Sequence, residues 1–357
     1  MGKPSGEITS SLRQRSRSRS FVSASLRRTA ISRFASFGLN AASAFSRLGR
    51  NTFKVKTAHR ELTVVSYPAD LPLARRRQVI GHRFATLAWG RGLRQLPEPL
   101  ACDVKSRLSL RTYVEGQPLA PTDLNLQRVS EALGFLLAVN RFRPFIAGTD
   151  MPRAVDARFS LEGHFDRLGR QVAALETTAR RLGDHRAANF ARDQLEPAWQ
   201  IIQQRLAREI QRLGLDPSAR LKLSECCLSP GDFGLHRALM TPSGNLCFFD
   251  FAEAGWDDPA MVTARFFHRE PLPAPPEFFA PFARHLARSL GQGVELLRRT
   301  RLLRPVVCLD ECCRVYGRRS ASSAGGTAPG RGRAWIEFTR AQIEKARKLL
   351  EREMSED

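Results

Sequence analysis

Apolar positions along the chain change period several times, and the changes mark out elements. Residues 53–57 and 61–67 are strand-like, with β-branched Thr63, Val64 and Val65 in the second and an Ala58-His59 turn between them. Residues 73–89 carry apolar positions at Val79, Leu87, Ala88 and Trp89, which predicts a helix ended by Gly92. Residues 108–114 form a third strand-like run, closed by Glu115-Gly116-Gln117-Pro118. Helical spacing then dominates. It covers 123–139, 161–182 and 187–213, then 278–290 and 292–303 behind the Pro271–Pro276 break, and finally 334–351. Residues 317–333 are low in complexity and predict a mobile loop. No repeat is present, and no run of 18 apolar residues predicts a transmembrane helix.

One stretch breaks the helical trend. Residues 229–259 read SPGDFGLHRALMTPSGNLCFFDFAEAGWDDP. The turn signal Thr241-Pro242-Ser243-Gly244 joins 238–240 to 246–249 as a hairpin. Asp232 precedes this hairpin, behind the Pro230-Gly231 turn, and Asp250 ends it. A hairpin folds back on itself, so the two carboxylates should lie close together. Such a pair suits metal-assisted phosphoryl transfer, in which one carboxylate accepts the proton of an attacking hydroxyl and the other holds Mg²⁺.

Charge narrows the choice of partners. The 357 residues carry 57 Lys and Arg against 35 Asp and Glu, a net charge of +22. Residues 1–20 are Arg- and Ser-rich and predict disorder. The acid-poor stretch that follows fits a mitochondrial transit peptide, an interfacial helix, a nucleic-acid arm or a plain flexible tail. The rest of the chain is basic too, which favours anionic partners. Seven cysteines without a paired framework argue against a disulfide scaffold, and buried free thiols fit better than a zinc site. His164, His185 and His285 have no partner at metal spacing and are expected to face solvent.

The 229–259 stretch resembles the aminoglycoside phosphotransferase and choline kinase families, which share the protein-kinase-like fold. Asp232 stands where those families place the catalytic base, Asp250 where they place the metal ligand, and Gly255-Trp256-Asp257-Asp258-Pro259 matches the following loop. The resemblance implies an α+β, two-lobed architecture: a tail over 1–47, a small strand-rich N-lobe over 48–116 and a larger, mainly helical C-lobe over 117–354. It implies ATP and Mg²⁺ as cofactors. Gly49 and Asn51 would form the phosphate turn, and Tyr113 and Glu115 in the hinge would meet adenine.

The departures fall on chemistry. Pro230 replaces the His of the His-Gly-Asp motif, and Arg237 replaces the second metal ligand, an Asn. The strand lysine is Val65, and no acid lies between residues 71 and 97 to pair with it. Lys54 or Lys56 on the adjacent strand is the candidate substitute. Two functions follow. One is transfer of the ATP γ-phosphate to a small-molecule hydroxyl, neutral or anionic rather than an aminoglycoside. The other is a degenerate, pseudokinase-like nucleotide-binding or scaffold protein. A third class, a nucleic-acid or membrane-surface binder acting through the basic tail, lacks any recognition motif. The expected location is cytoplasmic, or mitochondrial if the N-terminal segment is a transit peptide.

Overall fold

The computed structural model describes residues 44–49, 51–68, 73–141, 143, 151–321 and 331–353. The expected tail is therefore described only from Ala44 onward. There it departs from expectation, because Ala44–Arg47 forms strand β1, paired antiparallel with β2, Thr52–Lys56. The N-lobe thus begins at least four residues earlier than its composition indicates. Strand β3, Glu61–Ser66, follows, then helix α1, Ala74–Gly90, then β4, Pro99–Asp103, and β5, Leu108–Thr112. The sheet order is β1-β2-β3-β5-β4, antiparallel throughout.

Period-two alternation splits this sheet into two faces. Val55, Leu62, Val64, Leu108 and Leu110 pack into a small core on one side. Thr52, Thr63, Val65, Ser109 and Arg111 line a cleft. Helix α1 is tied to the sheet by the buried Gln78, whose Nε2 donates to the carbonyls of Asp103 and Leu108 at 2.8 and 2.9 Å.

The C-lobe opens with the two-residue strand β6, Gln117–Pro118, and helix α2, Leu126–Asn140. Helix α3, Leu161–Arg181, is followed by α4, His185–Phe190, a π turn at Ala191–Leu195, and α5, Glu196–Arg212. Then come the short strands β7, Cys227–Ser229, β8, Ala238–Met240, β9, Leu246–Phe248, and β10, Gly255–Asp257. Helices α6, Pro259–His268, α7, Phe279–Ser289, α8, Val294–Ala321, and α9, Arg331–Glu353, complete the lobe. Helix α8 runs on through Pro305 to Ala321, and α9 starts at Arg331, so both invade the expected 317–333 loop; residues 322–330 lie outside the described set.

The larger core is rich in stacked phenylalanines that reach the catalytic-type loops. Phe135 of α2 stacks on Phe248 of β9 with ring centroids 4.5 Å apart, and Phe251 packs on Phe84 of α1 at 4.8 Å. Such pairs contribute about 0.5–1.5 kcal/mol beyond the area they bury. Here they also fix the backbone on either side of Asp250. Asn140 at the end of α2 does the same for β7: its Nδ2 donates to the Leu228 carbonyl, and its Oδ1 accepts the Leu228 N–H at 2.8 Å.

The seven cysteines are all free, and five of them are buried, as their spacing suggests. His164 does not face solvent. It is buried and its Nε2 lies 3.2 Å from Asp258 Oδ2. No helix among the described residues is long and apolar enough to cross a membrane.

Candidate functional site

The expected hairpin forms as β8 and β9, in the register Ala238 to Phe248 and Met240 to Leu246. Its fold-back brings Asp232 and Asp250 into one cleft of about 640 Å³. Both loops take backbone that few residues tolerate. Gly231 has φ +97°, and a Cβ there would sit 2.6 Å from the Glu253 carbonyl carbon. Only glycine lets this loop pack against the chain that follows Asp250. Asp250 itself has φ +68°, an uncommon, locally strained conformation for a non-glycine residue.

Between the two carboxylates lies a guanidinium. Arg237 Nη2 is 2.8 Å from Asp232 Oδ2, and Arg237 Nη1 is 2.8 Å from Asp250 Oδ2. Arg237 Nε adds a 3.1 Å bond to Asp232. Asp232 has further partners. His236 Nε2 is 3.2 Å from Oδ2, while Arg269 Nε and Arg314 Nη2 approach Oδ1 at 3.0 and 3.3 Å. Burial alone would raise the Asp232 pKa. His236, Arg269, Arg314 and Arg237 outweigh it and hold the carboxyl well below the usual carboxylate range. A carboxylate so stabilised in its charged form is a weak proton acceptor.

The same arrangement decides the metal question. A divalent ion needs oxygen donors, and a guanidinium offers only N–H groups. With Arg237 in contact with both carboxylates, the residues present do not fit Mg²⁺. No group of three His, Cys, Asp or Glu side chains that could hold a metal exists among the described residues.

The expected phosphate turn and hinge reach the cleft in part. Gly49, Asn51 and Tyr113 line it, as do Val114 and Gly116. Glu115 is exposed and is not among the lining residues, so the structure gives no support to its adenine role. Lys54 does not replace the strand lysine. Its Nζ pairs with Glu61 Oε2 at 2.7 Å and lies 3.8 Å from the centroid of the Tyr113 ring. Lys56 is exposed.

Gly81 of α1 is closely packed. A Cβ on Gly81 would come within 3.3 Å of the Phe251 carbonyl carbon and the Ala252 nitrogen. Helix α1 therefore lies directly against the turn after Asp250. The ionic link between helix and loop is reversed in sign, because Arg77 of α1 donates to Glu253 Oε1 at 2.7 Å. Asp257 and Asp258 are not among the residues that line the cleft. Both are fully buried, with Asp258 bonded to Arg299 at 2.6 Å and Asp257 facing Arg265 at 3.5 Å.

Several site residues escaped the sequence. Arg269 and Arg314 come from α6's end and from α8, distant in the chain, and no local signal points to them. Arg111 had a signal. In Leu-Ser-Leu-Arg-Thr the leucines face the small core, so strand alternation puts Arg111 on the cleft face beside Ser109. Burial pulls its guanidinium down from the ordinary value, while nearby Tyr67 and Asp250 act in the opposite direction.

No protein-family profile matches the chain, and no curated protein matches it by sequence. Solved structures do match. Choline kinase LicA from Streptococcus pneumoniae superposes with a TM-score of 0.58 at 11% identity, over 91% of this chain and 98% of that one. Choline kinase from Cryptosporidium parvum gives 0.55 at 11% identity, over 87% and 89%. The ADP-bound aminoglycoside phosphotransferase APH(2'')-Ib gives 0.56 at 10% identity, over 89% and 98%. At such identity the likeness concerns architecture: the chain has the two-lobed, protein-kinase-like fold of choline kinases and aminoglycoside phosphotransferases.

Proposed function

We propose that this protein is a catalytically degenerate member of the kinase-like fold, which binds a nucleotide in the cleft between its lobes without a divalent metal. The observation that carries this is Arg237, 2.8 Å from both Asp232 and Asp250. It stands between the two carboxylates that would have to hold a metal, and it lowers the basicity of Asp232, the carboxylate placed as a base. The absence of a cation on the cleft face of β3, at Thr63 and Val65, agrees with this. One of the structural neighbours is ADP-bound, which supports a nucleotide as the ligand class.

A second reading is favoured by the convergence of both aspartates on one cleft. Arg237 is one-third exposed, and its displacement by a nucleotide would free the pair of carboxylates for phosphoryl transfer. The acceptor would then be a neutral or anionic hydroxyl compound, because the chain's net charge of +22 disfavours a polycation. Thermal shift with ATP in EDTA and in Mg²⁺, followed by a labelled-ATP screen over cationic, neutral and anionic acceptors, separates the two. Equal stabilisation with and without Mg²⁺ and no turnover support the degenerate reading. Turnover of any acceptor overturns it.

A further inference from the structure

Four positively charged or titratable bases line the cleft: Arg77, His82, Arg111 and Arg237. Arg77 is committed to Glu253, and Arg237 to Asp232 and Asp250. His82 is kept toward its neutral form by burial. Arg111 is different. Its Nε is sealed from solvent with no hydrogen-bond partner, and its guanidinium makes no ion pair among the described residues. Arg111 is only half-buried, and a cation held at a cleft wall without an ion-pair partner is an unused site for an anion.

Its position is specific. Arg111 of β5 lies directly across from Thr63 of β3, one step along the cleft face from Val65. Both of those residues line the cleft and neither carries charge. Tyr67 and Asp250 are close enough to act on Arg111 electrostatically, and Gly49 and Asn51 line the same cleft. A guanidinium presents a planar fork of N–H donors that matches two phosphate oxygens at once.

We propose that Arg111 is the phosphate-binding residue of the cleft: the cation for the nucleotide's phosphates stands on β5, in place of one on β3. This rests on the nucleotide-binding reading above and names the group that recognises the ligand's anionic part. It requires no metal, since the positive charge is supplied by the chain itself.

The experiment compares the full-length wild type with Arg111→Met and Arg111→Lys by calorimetry in EDTA, using ADP, adenosine and pyrophosphate as probes. Arg111→Met is expected to weaken ADP and pyrophosphate by about tenfold or more, the scale of one lost charge-assisted contact, and to leave adenosine within about twofold. Arg111→Lys should recover part of the ADP affinity. A second readout guards against a structural role. Removing a half-buried charge that has no ion-pair partner should leave the melting temperature of the ligand-free protein unchanged or higher, while shrinking the rise that ADP produces. Equal weakening of ADP and adenosine, unchanged ADP binding, or a ligand-free variant that melts lower would overturn the assignment of Arg111 alone. A wild type that binds none of the three probes would remove the nucleotide reading and this assignment with it.

Discussion

Arg237→Asn is the most informative single change, because the arginine holds both carboxylates and the replacement offers a metal an amide oxygen. The substitution removes two bonds to Asp232 Oδ2, at 2.8 and 3.1 Å, and one contact to Asp250 Oδ2 at 2.8 Å. Asp232 is 6% exposed but keeps His236, Arg269 and Arg314, so it is not left unpaired. Losing charge-assisted bonds on that side costs about 1.5–3 kcal/mol. Asp250 is 39% exposed, and solvent screening limits its share to about 0–1 kcal/mol. At about 2 °C per kcal/mol for a chain of this length, the variant should melt about 3–8 °C below wild type in EDTA.

Adding Mg²⁺ and ATP should then divide the two proteins. Freed of the guanidinium, the aspartates and the new amide can take an ion with the nucleotide. Binding at 100 times the dissociation constant returns about 2.7 kcal/mol, most of what was lost. Wild type should respond to ATP equally with Mg²⁺ or EDTA. Differential scanning fluorimetry gives the melting shifts, and titration calorimetry gives the affinities. A wild type stabilised by Mg²⁺-ATP well beyond ATP in EDTA would refute the claim that Arg237 excludes the metal. A destabilised variant with no Mg²⁺ response would show that some other feature keeps the ion away.

Three further outcomes are expected. Gly81→Glu should destabilise by about 1–3 kcal/mol through overpacking against residues 251–252 and should not tighten ATP binding, since the strand holds no cation to pair with it; wild-type melting with stronger ATP binding would count against this. Removing residues 1–43 should leave the melting transition in place, whereas removing 1–47 should lower it by deleting β1 from the sheet; identical melting of both truncations would show that β1 contributes nothing. His268→Gln should flatten the acid limb of the stability curve. Burial first, then Lys345 and Arg304, hold this histidine well below its ordinary value, so the unfolded chain takes up a proton the native one does not as pH falls below 6.5. Stability from this group is complete above that pH and declines by about 1.4 kcal/mol per unit below it until the native histidine also titrates; parallel urea-derived curves for wild type and variant from pH 7 to 5 would refute it.

The sequence carried the architecture further than the site. The hairpin, the first helix and both lobes were legible because alternation, helical spacing and the Thr241–Gly244 turn act locally. Strand β1 was hidden by its polar neighbours: an edge strand needs only its partner's backbone, and Ala-Phe-Ser-Arg gives no pattern of its own. The 317–333 loop was overcalled because Gly and Ser there outweigh helical neighbours in composition, yet α8, which packs on α9 and α6, continues to Ala321. His164 looked solvated because its partner, Asp258, lies 94 residues away. The two aspartates were legible as a pair for the opposite reason, since a hairpin brings them together whatever the rest of the chain does. What surrounds them was not, because Arg77, Arg269 and Arg314 arrive through the tertiary fold.

The departures from the phosphotransferase pattern support one another physically, and that argues for a working cleft over a decayed one. An acid on helix α1 would meet no cation on β3, and a side chain at Gly81 would crowd residues 251–252. The helix is instead held to the loop by Arg77 and Glu253. Without a metal, Asp232 and Asp250 would repel each other across the cleft, and Arg237 neutralises both. Each lost group thus has a replacement that satisfies the charges facing it, with one exception. Arg111 keeps a positive charge on the cleft wall that no acidic side chain pairs with among the described residues. Balanced charges elsewhere mean that a ligand need bring no ion of its own, and the surplus one selects for an anion. The sharpest consequence is that nucleotide binding should survive chelation but weaken with salt, because it depends on a fixed guanidinium at a partly open cleft. If ADP affinity instead falls in EDTA and is indifferent to ionic strength, the charge that binds the phosphates is a metal after all, and the replacement argument fails at its centre.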